Sequence, residues 1–205
     1  YKRFIKGVGD MPNKYVKSIM ADNLNIDLKD NVGTFNCGKP AGYIADFKAL
    51  PEKMQDLIKQ IKRVRVVFGI IEMKDATDEN GAPVDVPATP FIWEIDNRDA
   101  FKTLGEVMTR FAKLKRLLPT HYVQVATEER KLPNGSSFYL PLATLDVTKT
   151  LDLTNQDQNM FADFMAWVSN YNEYIINMWS ESAMKEEDED VDVVQDFIDI
   201  DSEVA

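Results

Sequence analysis

The chain has little of what most catalytic chemistry requires. Its 205 residues include one cysteine, Cys37, and one histidine, His121. A single cysteine excludes an internal disulfide and fits a reducing compartment. With one residue of each kind, a structural zinc site, whose ligands are several such side chains, is also excluded. Neither a Walker-type nor a dinucleotide-type glycine-rich phosphate loop is present. No apolar run approaches the ~20 residues of a membrane span. The start, Tyr1-Lys2-Arg3-Phe4-Ile5-Lys6, is basic but lacks the apolar stretch and cleavage site of a secretory signal. With no initiator Met, it reads as a processed, trimmed or partial N-terminus.

What remains for catalysis is thin. His121 and Cys37 are the only candidates for a histidine-activated thiol, and nothing in the sequence places them together. Glu72, Asp75, Asp78, Glu94 and Asp96 surround one hairpin, but their spacing matches no metal-binding loop, and a solvated hairpin is the better reading. The sequence therefore points to a non-enzymatic protein with no metal and no cofactor.

Charge is present, and it is unevenly distributed. The chain carries 24 Lys+Arg and 34 Asp+Glu, a formal net charge of -10. Residues 181–205 hold eleven of the acids and one base, Lys185, and so account for the whole excess. Residues 1–180 hold 23 bases and 23 acids and are neutral in sum. A neutral body with an acidic tail is a different object from a uniformly acidic protein. The sequence predicts one domain over residues 1–183 and a disordered acidic tail over 184–205, because dense like charge has little to bury.

Along the body, short strands are predicted at 32–38 and 42–47, and a helix opens at Leu50-Pro51-Glu52 with Leu50, Met54, Leu57, Ile58 and Ile61 at helical spacing. Val64 to Met73 is rich in β-branched residues and reads as a strand, with its return at Pro90 to Ile95. Asn97 or Asp99 caps a second helix striped by Phe101, Leu104, Val107, Met108, Phe111 and Leu114. A second hairpin runs from Tyr122 to Leu142 around Asn134-Gly135, and a third helix covers about 154–179. The fold class is mainly β with about three helices. An oligonucleotide-binding (OB) antiparallel barrel is the leading architecture, and an α+β sandwich is the alternative.

Three features of this body and tail bear on function. Lys62, Arg63 and Arg65 lie where the first helix meets the long strand, Arg110, Lys113 and Arg116 lie on the second helix, and Arg130 and Lys131 sit at the hairpin tip. Interleaved with them are Phe68, Phe91, Trp93, Tyr122 and Tyr139 on predicted strands. Single-strand binders combine these residue types: cations follow the phosphates while aromatic faces stack bases. The same residues are also what a folded domain uses for its core and its solvated helix faces. The tail alternates acids with apolar residues, and Asp192, Asp196, Phe197, Ile198 and Asp199 suit a segment that docks a protein partner or competes with nucleic acid for a basic groove. On the third helix, Trp167 and Tyr174 fall off the main stripe and suit a second packing surface or a homo-oligomer contact.

The segments Lys62-Arg63-Val64-Arg65-Val66-Val67-Phe68-Gly69 and Glu128-Glu129-Arg130-Lys131-Leu132-Pro133-Asn134-Gly135, together with the β-rich body and the Phe-containing acidic tail, resemble the single-stranded DNA-binding proteins of tailed marine bacteriophages. The resemblance implies an OB fold, sequence-independent binding of single-stranded DNA, and tail-mediated contacts with replication or recombination proteins in the cytoplasm of an infected host cell. One departure from the family pattern bears on docking by the extreme terminus: the chain ends Ser202-Glu203-Val204-Ala205 rather than on an aromatic or hydrophobic tip. A rival from another class is a phage protein-interaction or transcription-regulating module with no affinity for single-stranded DNA.

Overall fold

Four-residue strands place only two side chains on each face, so they leave almost no periodic signal in a sequence. The first sheet is built from such strands. In the computed structural model, β1 (Lys2–Ile5) pairs antiparallel with β2 (Lys14–Lys17) on one side and β3 (Ile61–Lys62) on the other. The structure describes residues 1–202 apart from Val8, Asp10 and Met11, and the side chains through Ala183 apart from Asp75.

The two strands expected at 32–38 and 42–47 are not formed. Short 3-10 turns stand there instead, at Asn36–Gly38 and Phe47–Ala49. The reason is a competing set of side-chain hydrogen bonds. The fully buried Asp30 carboxylate accepts the backbone N–H groups of Val32 (3.0 Å), Thr34 (3.1 Å) and Cys37 (3.0 Å) and the Thr34 hydroxyl (2.6 Å). These donors are therefore unavailable to a ladder, and Asn36 and Cys37 turn into the left-handed region at φ of 54° and 58°. Asn36 itself accepts from the Leu28 N–H at 2.9 Å.

Helix α1 (Glu52–Gln60) follows Pro51, which presets the entry φ at -53°. β4 (Arg65–Thr77) and β5 (Pro83–Ile95) then form a hairpin that is longer than its apolar pattern suggests. Its tip is closed by Asp78, whose carboxylate accepts the N–H groups of Ala82 (2.8 Å) and Asn80 (2.9 Å), bonds that hold its pKa below the usual carboxylate value. Asn97, not Asp99, caps α2 (Arg98–Lys113) by accepting from the N–H groups of Asp99 and Ala100. β6 (His121–Lys131) and β7 (Ser137–Thr150) make the third sheet, turning through Gly135 at φ of 85°. α3 spans Asn155–Ser202.

The molecule is thus mixed α/β, with three α-helices and three small antiparallel sheets among the described residues. The expected closed barrel is absent among them. Each long hairpin pairs only with itself, so neither sheet supplies the neighbour that closure requires.

The chain divides into two compact units: Tyr1–Arg63 with Met165–Ala205, and Val64–Phe164. The first is one unit because α3 is tied to the N-terminal segment. Asn172 accepts from the Met20 N–H (2.7 Å) and donates to the Met20 carbonyl (3.0 Å), the Tyr171 hydroxyl donates to the Ser18 carbonyl (3.1 Å), and Trp179 lies 4.5 Å from Phe35. Leu28, Val16, Cys37 and Ile175 are its most buried apolar residues. In the second unit, Ile95, Ala100, Leu104 and Leu140 form one buried cluster, and Val107, Phe111 and Leu145 form another. The predicted stripe of α2 is therefore the core face through Phe111, whereas Leu114 is exposed.

Candidate nucleic-acid interface

The predicted site residues separate according to strand parity and helix face. On the β4–β5 hairpin, Arg65 pairs with Ile95, Val67 with Trp93 and Gly69 with Phe91. Residues directly opposite share a face, so Phe91 and Trp93 lie on the same side as the buried Ile95. Trp93 packs against the Ile95–Leu104 cluster, and the Phe91 ring covers Gly69, where an added Cβ would come within 2.8 Å of it. Phe68 is on the opposite face, half-buried, with its ring 5.4 Å from Phe164. These three aromatics have structural partners. Tyr122 and Tyr139, in contrast, are 60% and 67% exposed.

The cations converge more than the aromatics do. On α2, Lys102, Gly105, Glu106, Thr109, Arg110 and Lys113 recur at helical spacing and form one wall of an open groove of about 460 Å³. Arg65 reaches this groove from β4. Its guanidinium lies 4.0 Å from the centre of the Phe101 ring and donates to the Phe101 carbonyl at 2.9 Å. The guanidinium passes close over Gly105, where an added Cβ would meet Arg65 Nη1 at 2.9 Å and the side chain would have to shift. A glycine inside a helix costs about 1 kcal/mol relative to alanine, so the close passage of Arg65 gives it a purpose. Arg65, Lys102, Arg110 and Lys113 against Glu106 leave the groove at a net +3. Lys102 and Glu106 are 4.0 Å apart and well exposed, a pairing that neutralises little. Arg110 and Lys113 also lie in the last turn of α2, where cations offset the negative end of the helix dipole.

The remaining predicted cations divide. Arg116 donates to the Val147 carbonyl at 2.6 Å and to His121 Nε2 at 3.2 Å, so it holds the end of α2 against the third sheet. With Nε2 accepting, the His121 proton sits on Nδ1, facing the Leu117 carbonyl and the Thr120 hydroxyl. The buried imidazole is a structural group, edge-on to Phe111 at 5.0 Å. Arg130 pairs with Glu128 at 3.2 Å at the exposed hairpin tip, and Lys131 lies on the Tyr139 face of that hairpin, together with Glu129. Lys62 and Arg63 belong to the first unit, where Lys62 is the second residue of β3. Asp192, Asp196, Phe197, Ile198 and Asp199 fall within the helical span of α3, and their side chains lie outside the described residues.

Cys37 and His121 belong to different compact units. The thiol is 1% exposed, its Sγ lies 3.7 Å from the Val16 carbonyl, and burial pushes its pKa up to about 11. A raised thiol pKa keeps the group neutral until the pH nears that value. Alkylation of the native protein at about pH 8 is therefore expected to run roughly a hundredfold slower than that of the denatured chain. Mass-spectrometric timing with iodoacetamide checks this. Equal rates would refute it. Among the described residues, no group of three or more His, Cys, Asp or Glu side chains is arranged to hold a metal ion, and no helix is long and apolar enough to cross a membrane.

No protein-family model, curated protein or solved structure matches the chain.

Proposed function

We propose that the protein binds single-stranded DNA without sequence preference, as a non-enzymatic accessory of phage replication or recombination in the cytoplasm of the infected cell. The observation that carries this reading is the convergence of Arg65, Lys102, Arg110 and Lys113 along one side of α2. Cations on a rigid helix follow a phosphate backbone and read no base, which is what sequence-tolerant binding requires. Exposed Tyr122 and Tyr139, with Lys131, offer stacking and charge on the third sheet. An OB-type arrangement of strands is compatible with this function, but the groove on α2 does not depend on a closed barrel.

The acidic tail takes a regulatory role in this reading. Residues 184–205 carry ten acids and one base, and they compete with DNA for cationic surface while offering Phe197 and Ile198 to replication or recombination proteins. Deleting 184–205 is expected to tighten binding of a fluorescein-labelled oligo-dT and to steepen its salt dependence. Anisotropy titrations of the intact and shortened chains measure both. Unchanged affinity on deletion would remove the competition.

The second reading, an interaction module without DNA affinity, is favoured by Trp167 and Tyr174, which are 39% and 57% exposed on α3. It differs sharply in outcome, since it expects no oligo-dT binding even at low salt.

A further inference from the structure

The first sheet has a face that the sequence did not disclose. In an antiparallel ladder, directly opposed residues point to the same side, and residues two apart along a strand do so as well. β1 is the central strand, and Lys2 stands opposite Lys17 on β2 and opposite Lys62 on β3. Three lysines therefore form one row across the whole sheet. The next row on that face is aromatic: Phe4 stands opposite Tyr15. Their ring centres are 5.0 Å apart at 49°, Phe4 is 43% exposed and Tyr15 is 52% exposed. Lys2 Nζ lies 5.7 Å from the Tyr15 ring centre, which ties the two rows together. The reverse face carries Val16, 1% exposed, with the half-buried Arg3, Ile5 and Ile61, and Lys14 exposed at its end. The sheet thus has one face toward the core and one that presents two rings beside a row of positive charge.

A row of ammonium groups across a ladder is a surface of the sign and spacing along which a polyanion lies. The rows are about 7 Å apart along the strands, a separation that lets a nucleotide place its phosphate on a lysine and its base on a ring. A protein-binding patch has a different composition, with charge depleted from its centre. Lysine suits the role, because its ammonium is a point charge on a flexible stem that a phosphate can meet from several directions.

We propose that this face is a second contact surface for single-stranded DNA, in which Phe4 and Tyr15 stack bases and Lys2, Lys17 and Lys62 contact phosphates. The proposal rests on the reading of the protein as a single-strand binder and adds a site to the α2 groove. Lys62, predicted as a phosphate contact from its neighbours in sequence, acts here with residues of β1 and β2.

The test uses the full chain and a labelled oligo-dT at low salt. Phe4→Ala/Tyr15→Ala is expected to weaken binding at least about tenfold, the effect of losing a stacked base. Phe4→Tyr/Tyr15→Phe retains binding, because stacking requires only the ring. The aromatic pair also pins a short sheet, so a second double variant at exposed or half-exposed positions guards against misfolding: Lys17→Gln/Lys62→Gln is expected to reduce the slope of log K against log salt by about 0.7 for each lysine. Unchanged affinity in the alanine pair together with an unchanged slope in the glutamine pair would overturn the proposal. So would tighter binding in the alanine pair, which would place the chain's own acidic tail on this face. If the intact chain does not bind oligo-dT, the proposed function falls and this site falls with it. If the intact chain binds and only the α2-groove variants weaken it, this site alone falls.

Discussion

Replacing Arg110 and Lys113 together by glutamate is expected to lower oligo-dT affinity by about a hundredfold or more at low salt. The double change takes the α2 groove from +3 to -1 while leaving the core face of the helix untouched, since both side chains are exposed and Leu104, Val107 and Phe111 lie on the other side. The cost in stability is small by comparison, about 0.3–1 kcal/mol for each charge lost from the C-terminal end of the helix dipole. Affinity and stability therefore separate. Arg116→Gln supplies the contrast. That guanidinium is engaged by the Val147 carbonyl and His121, so its loss is expected to lower the melting temperature and leave DNA affinity within about threefold of the parent, one phosphate contact at most. Anisotropy titration and thermal unfolding of both variants measure the separation. Equal affinity in the parent and the Arg110→Glu/Lys113→Glu chain would show that the groove does not carry DNA.

Asp30→Ala is expected to destabilise the first unit by about 3 kcal/mol or more. The Asp30 carboxylate is fully buried and accepts four hydrogen bonds from Val32, Thr34 and Cys37, so truncation leaves the buried Cys37 N–H and three partly buried donors unmatched in addition to a void. In a chain of this size that corresponds to a fall of about 6–12 °C in the affected transition. Asp30→Asn retains an acceptor at one oxygen but turns an NH2 group toward two of the donors, and it recovers only part of the loss. The same variant carries an independent signal. The Cys37 backbone is held by Asp30, so alkylation of the Cys37 thiol is expected to accelerate in step with the loss of stability. Unfolding followed by far-UV circular dichroism, with alkylation timing on the same samples, checks both. A melting temperature within 2 °C of the parent, a shift of under about 1 kcal/mol, would contradict the role given to this carboxylate.

The long, locally consistent elements were legible from the residues alone. The α2 stripe, a cap at Asn97 or Asp99, the Asn134-Gly135 turn and the β-branched run beginning near Val64 each satisfy one strong local rule, and the elements formed there. The first fifty residues obey no such rule. β1 and β2 are too short to show alternation, and the segment that reads as a strand near Gly33 is organised by Asp30 and by left-handed turns at Asn36 and Cys37, while beyond Gly42 the Asp46 carboxylate caps a 3-10 turn by accepting from the Lys48 and Ala49 N–H groups. Whether an aromatic faces the core depends on ladder parity, which the residue types leave open. Phe91 and Trp93 fall on the buried side of β5, Tyr139 falls outward on β7, and Phe4 and Tyr15 form a pair only once the register of β1 and β2 is known. The same limit applies to charge. Arg65, Arg110 and Lys113 line one groove because the Arg65 side chain reaches from β4 to Gly105 of α2, a relation that runs through tertiary contact and not through sequence spacing.

The central claim is that cationic surface on this neutral body takes up single-stranded DNA through its phosphates. Anisotropy titration of labelled oligo-dT with the protein lacking 184–205, repeated across a series of salt concentrations, tests it most directly. The expected result is saturable binding at low salt, with log K falling linearly against log salt at a slope of about -2 to -3 for the three to four phosphate contacts of the α2 groove, and steeper by about 0.7 for each lysine of the first sheet that takes part. Absence of binding at low salt, or binding indifferent to salt, would contradict it.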